Sequence, residues 1–311
     1  MKTPNFFLAD ECTILFGKKS KDIFGNYSGI KLTSDGWSIR VSNQKKWKKP
    51  VTIVIEGSTK PVNLHIHLGA DISVQWSIDY LINLKQANIG IFIKLDKGAR
   101  LVLTNVFIGK SNKEFTVSRI IDQAIASELD LSSGIVVDGN IKIADHYELN
   151  GVGSRLKATM LAIAGQNETF TSIQDVFHNQ PLTVSEVTNL LVSAKESQMH
   201  VDVTETIGKG NYQSVCHQNN RGIILEEKGS ITVEPKLIID EYDVDAGHGC
   251  AIGQINADEL YYLLSRGMNE ATAKRLIISG YLSPLYKRIE NPGFLKKLEK
   301  AIERQMKGVD Y

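Results

Sequence analysis

Cysteine is scarce in this chain of 311 residues, with only Cys12, Cys216 and Cys250, far apart and odd in number. Such a set argues against a disulfide framework and for a reducing, cytoplasmic setting. Lone cysteines read first as small buried hydrophobes, Cys12 above all. Proline is scarce too, at seven, and no low-complexity tract appears, so the chain offers no flexible linker. No apolar run reaches the roughly 18 residues of a spanning helix, which excludes a helical membrane anchor. The opening stretch MKTPNFFLADECTILFG has one lysine and an interrupted apolar run, a poor signal peptide. Net charge is only +1, so nothing electrostatic points to nucleic acid or an anionic membrane. Catalytic signatures are missing as well. There is no Gly-x-Ser-x-Gly, no Gly-x-x-x-x-Gly-Lys phosphate loop, no dinucleotide fingerprint and no His-Glu-x-x-His. Any ATP chemistry therefore belongs to a partner, and this chain binds no nucleotide. A β-helix carbohydrate-active enzyme, the remaining enzymatic alternative, would be expected to carry an export signal. The scattered Asp and Glu residues read as solvated faces.

What the chain does have is strand pattern over a long distance. Segments 62–69, 71–78, 89–95, 99–109, 134–144, 155–165, 168–178, 199–207, 221–227 and 230–240 alternate or form short apolar runs. Gly, Asn, Asp and Ser separate them, with no helix-length amphipathic segments between, which argues against βαβ winding. A loose cell of small turn residues followed by alternating apolars recurs. Gly69-Ala70-Asp71-Ile72-Ser73-Val74 returns in form as Gly98-Ala99-Arg100-Leu101-Val102-Leu103 and Gly229-Ser230-Ile231-Thr232-Val233, and more briefly at Gly139-Asn140-Ile141. Its spacing is irregular. It suits a β-solenoid, whose rungs bury their inner faces only by stacking. A β-sandwich is the competing all-β answer, and composition does not choose between them.

Near residue 254 the character changes to helix. Asn256-Ala257-Asp258-Glu259 forms a capping box for ELYYLLSR, and Gly267 stands where a helix C-terminal glycine belongs. Asn269 caps EATAKRLIISGYL, with Ala273, Leu276, Ile277 and Gly280 on one side. A last helix begins near Pro292 and carries Leu295, Leu298 and Ile302 as a stripe. The chain thus divides into an N-terminal segment (1–28), a β-core (29–254) and a C-terminal helical domain (255–311).

The stretch DAGHGCAIGQ (245–254) sets His248 and Cys250 among glycines. Imidazole and thiolate are good ligands for iron or zinc, but two ligands do not close a site, and the glycines equally suit a strand bulge or rung corner. Cys216 and His217 are adjacent, so on a strand they face opposite ways and at most one lines a site. His178 and His200 stand singly in alternating segments and read as packed or surface residues rather than ligands. His65 and His67 share a strand face, yet nothing near them in sequence completes a ligand set.

Residues 219–282 resemble the SufB/SufD family of iron–sulfur cluster assembly proteins. The resemblance rests on Pro235-Lys236-Leu237, Asp243-Val244, His248-Gly249 with Gly253, Tyr262-Leu263 before Ser265-Arg266-Gly267, and Ala273 with Arg275-Leu276. Upstream, His178-Asn179-Gln180-Pro181 with Thr183 and Ser185 matches the family's His-x-x-Pro-x-Thr-x-Ser segment. The resemblance implies a mainly β fold, a right-handed parallel β-helix followed by a small α-helical domain, and decides for solenoid over sandwich.

It implies a scaffold subunit without turnover of its own, pairing through the β-helix with a SufB-like subunit and docking a SufC-like ABC ATPase through its C-terminal helices. Docking would fall on Leu260, Tyr261, Leu264, Arg266, Leu276 and Ile277. A transient iron–sulfur cluster would form at the subunit interface, with His248, which matches a D-type histidine, as interface ligand or proton-handling group, and Cys250 as either a relocated thiol or a coincidence. Many D-type chains carry a cysteine where Ala246 stands here, and B-type chains carry a functional cysteine where Asn220 stands. With strand pattern starting near residue 29, the chain reads as a D-type form without the family's N-terminal helical region. A homodimeric, divergent scaffold without cluster-ligating residues is the alternative.

Overall fold

Turn geometry, more than side-chain identity, organises the molecule. The computed structural model describes residues 62–82, 88–165, 167–289 and 292–306, together with the earlier strand segments 13–16, 30–32, 36–41 and 51–56. Cys12 and most of the expected N-terminal segment lie outside the described residues.

In chain order the strands are β1 (Thr13–Phe16), β2 (Ile30–Leu32), β3 (Gly36–Val41), β4 (Val51–Glu56), β5 (Val62–Leu68) and β6 (Ser73–Ile82). Then come β7 (Asn88–Leu95), β8 (Arg100–Lys110), β9 (Phe115–Gln123), β10 (Glu128–Asp138), β11 (Ile141–Leu149) and β12 (Arg155–Ala164). The last six are β13 (Thr169–His178), β14 (Val184–Ser193), β15 (Gln198–Ile207), β16 (Ser214–Ile224), β17 (Ser230–Ile239) and β18 (Val244–Gly253).

From β3 onward the chain alternates between two nine-stranded sheets. Sheet I runs β1-β4-β6-β8-β10-β12-β14-β16-β18, and sheet II runs β2-β3-β5-β7-β9-β11-β13-β15-β17. All pairings are parallel except β2 with β3. This is a parallel β-solenoid, as the family resemblance implies. Ile141 pairs with Phe115, 26 residues back, whereas Gln198 pairs with Ser230, 32 residues on, so the rungs differ in length.

At six corners from sheet II to sheet I a residue takes a left-handed conformation in the same place: Asp71 (φ 58°), Gly98 (67°), Ala126 (54°), Gly153 (71°), Leu182 (63°) and Gln213 (54°). The strand register places these six in one column. Their amides donate in series to Lys97 O, Ile125 O, Val152 O, Pro181 O, Tyr212 O and Asp243 O of the next rung. Only two of the six are glycine, although left-handed geometry costs an L-residue roughly 1–2 kcal/mol. The stacked amide ladder holds the others in place. The repeat is therefore one of backbone conformation, which is why the residue cell looked irregular. Gly69 is not the counterpart of Gly98; Asp71 is.

Inside, alternating residues of both sheets make one core that includes Trp76, Tyr80, Phe107, Phe115 and Phe170. The Tyr80 and Phe107 rings stack at 4.4 Å. Full burial of such a side chain contributes about 1.5–3 kcal/mol. Segment 134–144 is not one strand. It crosses from sheet I to sheet II at Gly139-Asn140, where Gly139 has φ 131°. Strands β9 and β14 have weaker apolar pattern because polar inward residues, Arg119, Ser185 and Asn189, interrupt it.

Three helices follow: α1 (Ala257–Ser265), α2 (Glu270–Tyr286) and α3 (Pro292–Met306). Asn256 caps α1 by accepting from the Asp258 and Glu259 amides, and Asn269 caps α2 by accepting from the Thr272 amide at 2.8 Å. Gly267 takes φ 88° just beyond α1. Helix α2 continues through Pro284. Its buried side is Ala273, Ile278, Leu282 and Leu285, which corrects the expected stripe of Ala273, Leu276, Ile277 and Gly280. Packing on the sheet, rather than local periodicity, sets the inward face of this weakly amphipathic helix.

Helices α2 and α3 lie on the outer face of sheet I. Val106, Ile108, Val136, Leu161, Ile163, Leu190 and Val192 form a second core with Ile278, Leu282, Leu285, Phe294, Leu298 and Ile302. These strands are buried on both faces, hence their continuous apolar runs. A Cβ at Gly134 would come within 2.4 Å of Leu285 Cδ2, so a larger residue there would make the Leu285 side chain shift. Arg288 clamps Asp130 through two hydrogen bonds, 2.9 and 2.8 Å. No helix among the described residues is long and apolar enough to cross a membrane.

Candidate functional site

The last strand of sheet I, β18, carries both residues that the sequence singled out. It pairs with β16 along one edge, and no strand among the described residues pairs with the other. Pairing is unbroken from Ser214 opposite Val244 to Ile223 opposite Gly253. Gly247, Gly249 and Gly253 therefore lie in regular strand, with no bulge and no positive φ.

The register sets Ala246 against Cys216, His248 against Gln218 and Cys250 against Asn220. Cys216, Gln218 and Asn220 are buried, facing the solenoid interior. His248 and Cys250 continue that inward-facing column at the point where the solenoid ends, and both are exposed. Alternation thus puts imidazole and thiol on one face of one strand. The opposite side of β18 is nearly bare, with Gly247, Gly249 and Ala251 in alternate places.

Cys216 sits behind Ala246, fully buried. Burial, followed by the charges of Glu205 and Asp245, pushes its thiol up to about 12. It stays protonated and inert at neutral pH. His217 points the other way, 3.5 Å from Asp245, as strand alternation requires.

Behind the open end the interior is polar. The Gln174 and Asn189 side-chain amides exchange two hydrogen bonds of 3.0 Å, and Asn189 donates to Asn220 Oδ1 at 2.8 Å. Asn220 in turn donates to Gly249 O of β18 at 3.5 Å. Asn220 thus serves as a link between β14, β16 and β18. His178, Thr183 and Ser185, the family-like segment, come together in the same interior. His178 Nδ1 lies 2.7 Å from Thr183 Oγ1 and its Nε2 lies 2.9 Å from Ser185 Oγ, while Ser185 donates to the buried Glu205. This reads as a buried structural network rather than a nucleophilic triad, since His178, Ser185 and Glu205 are all buried, with Glu205 Oε1 left without a hydrogen-bond partner.

Deeper in the solenoid, Asp145 accepts from Arg119 Nε at 2.7 Å and Nη2 at 2.6 Å, and Arg119 also bonds Ser133. Burial works against the guanidinium charge, but Asp145 outweighs it and holds Arg119 protonated. The Arg119–Asp145 pair was not legible, because the two residues lie a rung apart in sequence.

The helices present the second surface. Helix α1 buries none of its residues, and Tyr261 is 73% exposed. Between α1 and α2 lies a groove of about 690 Å³, lined by Ile223, Tyr262, Leu263, Leu276, Ile277 and Tyr281 with Asp258 and Glu259 at its rim. Of the six expected docking residues, Leu276 and Ile277 line this groove. Leu260 lines a second cleft of about 640 Å³ beside Ile255 and Lys274. Tyr261, Leu264 and Arg266 are exposed, with the Arg266 guanidinium 5.2 Å from the Tyr262 ring centre. Tyr262, central to the groove, was not among the expected six.

Residues 54–281 match the family model described as the SUF system FeS cluster assembly SufBD core domain. The iron-sulfur cluster assembly protein SufD of Bacillus subtilis is 29% identical over 183 residues, 58% of this chain and 41% of that protein. SufD of Escherichia coli is 22% identical over 161 residues, 52% of this chain and 38% of that protein. A SufBD family protein of Synechocystis is 33% identical over 87 residues, 28% of this chain and 19% of that protein. The chain thus spans about two-fifths of the SufD relatives and less of the third.

Proposed function

The chain belongs to the SufBD core family of the SUF iron–sulfur cluster assembly system, and from that membership we propose that it is a D-type scaffold subunit of a cytoplasmic assembly complex. It performs no turnover of its own; ATP hydrolysis belongs to a SufC-like ATPase. The observation that carries this reading is the free strand β18, with His248 and Cys250 side by side in the column that leaves the open solenoid end. A free edge is a template for another strand, so a SufB-like subunit would pair there through backbone hydrogen bonds.

Side chains two apart on one strand face stand roughly 7 Å apart. That suits two contacts to a nascent cluster, which is cargo rather than a resident group. Imidazole donates a lone pair to iron or takes up a proton, and thiolate is a favoured iron ligand. Two donors do not complete a cluster shell, so the remaining ligands would come from the partner. The groove between α1 and α2 would receive the ATPase, with Tyr262 and Leu276 as apolar anchors.

The test is anaerobic reconstitution of the complete complex with iron and sulfide. His248→Ala is expected to assemble normally and to lose most of the cluster yield, read from the visible absorption; equal yield would sink the assignment. Tyr262→Asp with Leu276→Asp is expected to abolish co-elution of the ATPase while the β-helix partner is retained. Deleting the helices is the poorer experiment, because α2 and α3 cover an apolar sheet face.

A further inference from the structure

We propose that His200, Asp202 and Glu234 form a binding site for one divalent first-row transition-metal ion on the outer face of sheet II, separate from β18. His200 and Asp202 are two apart on β15, so they share a face, and the register sets Glu234 of β17 directly opposite Asp202. One donor atom from each lies within 4.8 Å of the other two, the single such grouping of three among the described residues. His200 Nε2 is 3.3 Å from Asp202 Oδ2 and 3.9 Å from Glu234 Oε1. Ligands about 2.0–2.2 Å from a shared ion stand roughly 3–3.5 Å from one another, so small rotamer adjustments close the set.

The other histidine–carboxylate pairs offer less. His67 meets Asp96, His146 meets Glu148, His217 meets Asp245 and, in the closed interior, His178 meets Glu205, in each case with one carboxylate. Only at His200 does a second carboxylate arrive from the neighbouring strand. One imidazole and two carboxylates suit Zn²⁺, Fe²⁺ or Mn²⁺ and leave coordination positions open to solvent. All three side chains are partly exposed, so the ion needs no opening of the fold to enter.

Lys236 is the built-in competitor. Its ammonium lies 3.3 Å from Asp202 Oδ1 and 3.1 Å from Glu234 Oε2, the oxygens turned away from His200. The inner oxygens, Oδ2 and Oε1, remain directed at the imidazole. The ammonium therefore holds the carboxylates in place from outside, and its charge weakens the hold on a second cation.

The experiment titrates Zn²⁺ alone by calorimetry, and Co²⁺ alone by visible absorption, into the full chain carrying His248→Ala and Cys250→Ala. That background removes the donors of β18 and makes the result independent of the proposed assembly role. One ion per chain is expected. Added His200→Ala or Glu234→Gln is expected to weaken binding roughly tenfold or more, as loss of ligand-shell groups does elsewhere. Lys236→Met is expected to tighten it several-fold. All three positions are on the surface, and an unchanged thermal unfolding curve confirms the fold. Binding that is absent, or unaltered by His200→Ala, overturns the site. So does an unaltered affinity in Lys236→Met, or binding that appears only in that variant.

Discussion

The two sheets share one interior and have opposite exteriors. In the second halves of β8, β10, β12 and β14 the outward residues of sheet I, such as Val106, Val136, Ile163 and Val192, are apolar and lie under α2 and α3. Outward residues of sheet II are mostly polar, with apolar exceptions such as Ile120 and Ile238, and four of the seven histidines, His65, His67, His146 and His200, stand among them. Inner faces make the solenoid, since every rung needs them to stack. Outer faces are free to differ, and the difference assigns tasks. One face anchors the helices, while the other presents ionisable groups to solvent.

A matched pair of substitutions would break that comparison if it is wrong. Ile163 points outward from β12 and is 0% exposed beneath the helices, whereas Ile120 points outward from β9 and is 45% exposed. Ile163→Ala is expected to destabilise by about 2–5 kcal/mol in urea unfolding. Similar costs at the two positions would mean that the exteriors are energetically alike.

The next effect depends on pH. Asp79 lies on the covered side, where burial pushes its carboxyl up to about 7 against a hydrogen bond from Ser77 and the charge of Lys297. Between its ordinary value near 3.8 and 7 the native state keeps a proton that the unfolded chain releases. Stability therefore falls as pH rises through that window and levels off above it. Asp79→Asn is expected to match the wild type near pH 4 and to be more stable by a few kcal/mol, in order of magnitude, at pH 8. Parallel pH profiles for the two proteins would refute the assignment. Smallest is Ile120→Ala, expected to cost below about 1 kcal/mol by the same unfolding measurement.

Much of the fold was legible in the chain. Period-two runs located most strands, and the caps at Asn256 and Asn269 located the starts of two helices, while the second runs on to Tyr286 past the expected end. The rung repeat was obscured because Asp71, Ala126, Leu182 and Gln213 occupy left-handed corners that glycine takes at 98 and 153. The buried face of α2 was misread because a helix with apolar residues nearly all round takes its orientation from the sheet it meets. The candidate site was legible only as a strand: DAGHGC marked His248 and Cys250, while the unbroken register with β16 showed that its glycines make no bulge.

By itself the sequence determined that the chain is a β-rich protein with a helical end, because alternation and capping are local properties of neighbouring residues. It also determined the family, through motif residues spaced along one strand and one helix. Tertiary structure alone decided which side of each strand is covered, which edge is left free, and which distant residues meet. His200 stood alone in the chain, and the pairing of β15 with β17 brought Glu234 to it from more than a rung away. Parallel stacking makes neighbours of residues some thirty positions apart, and no local pattern records which of them will face one another.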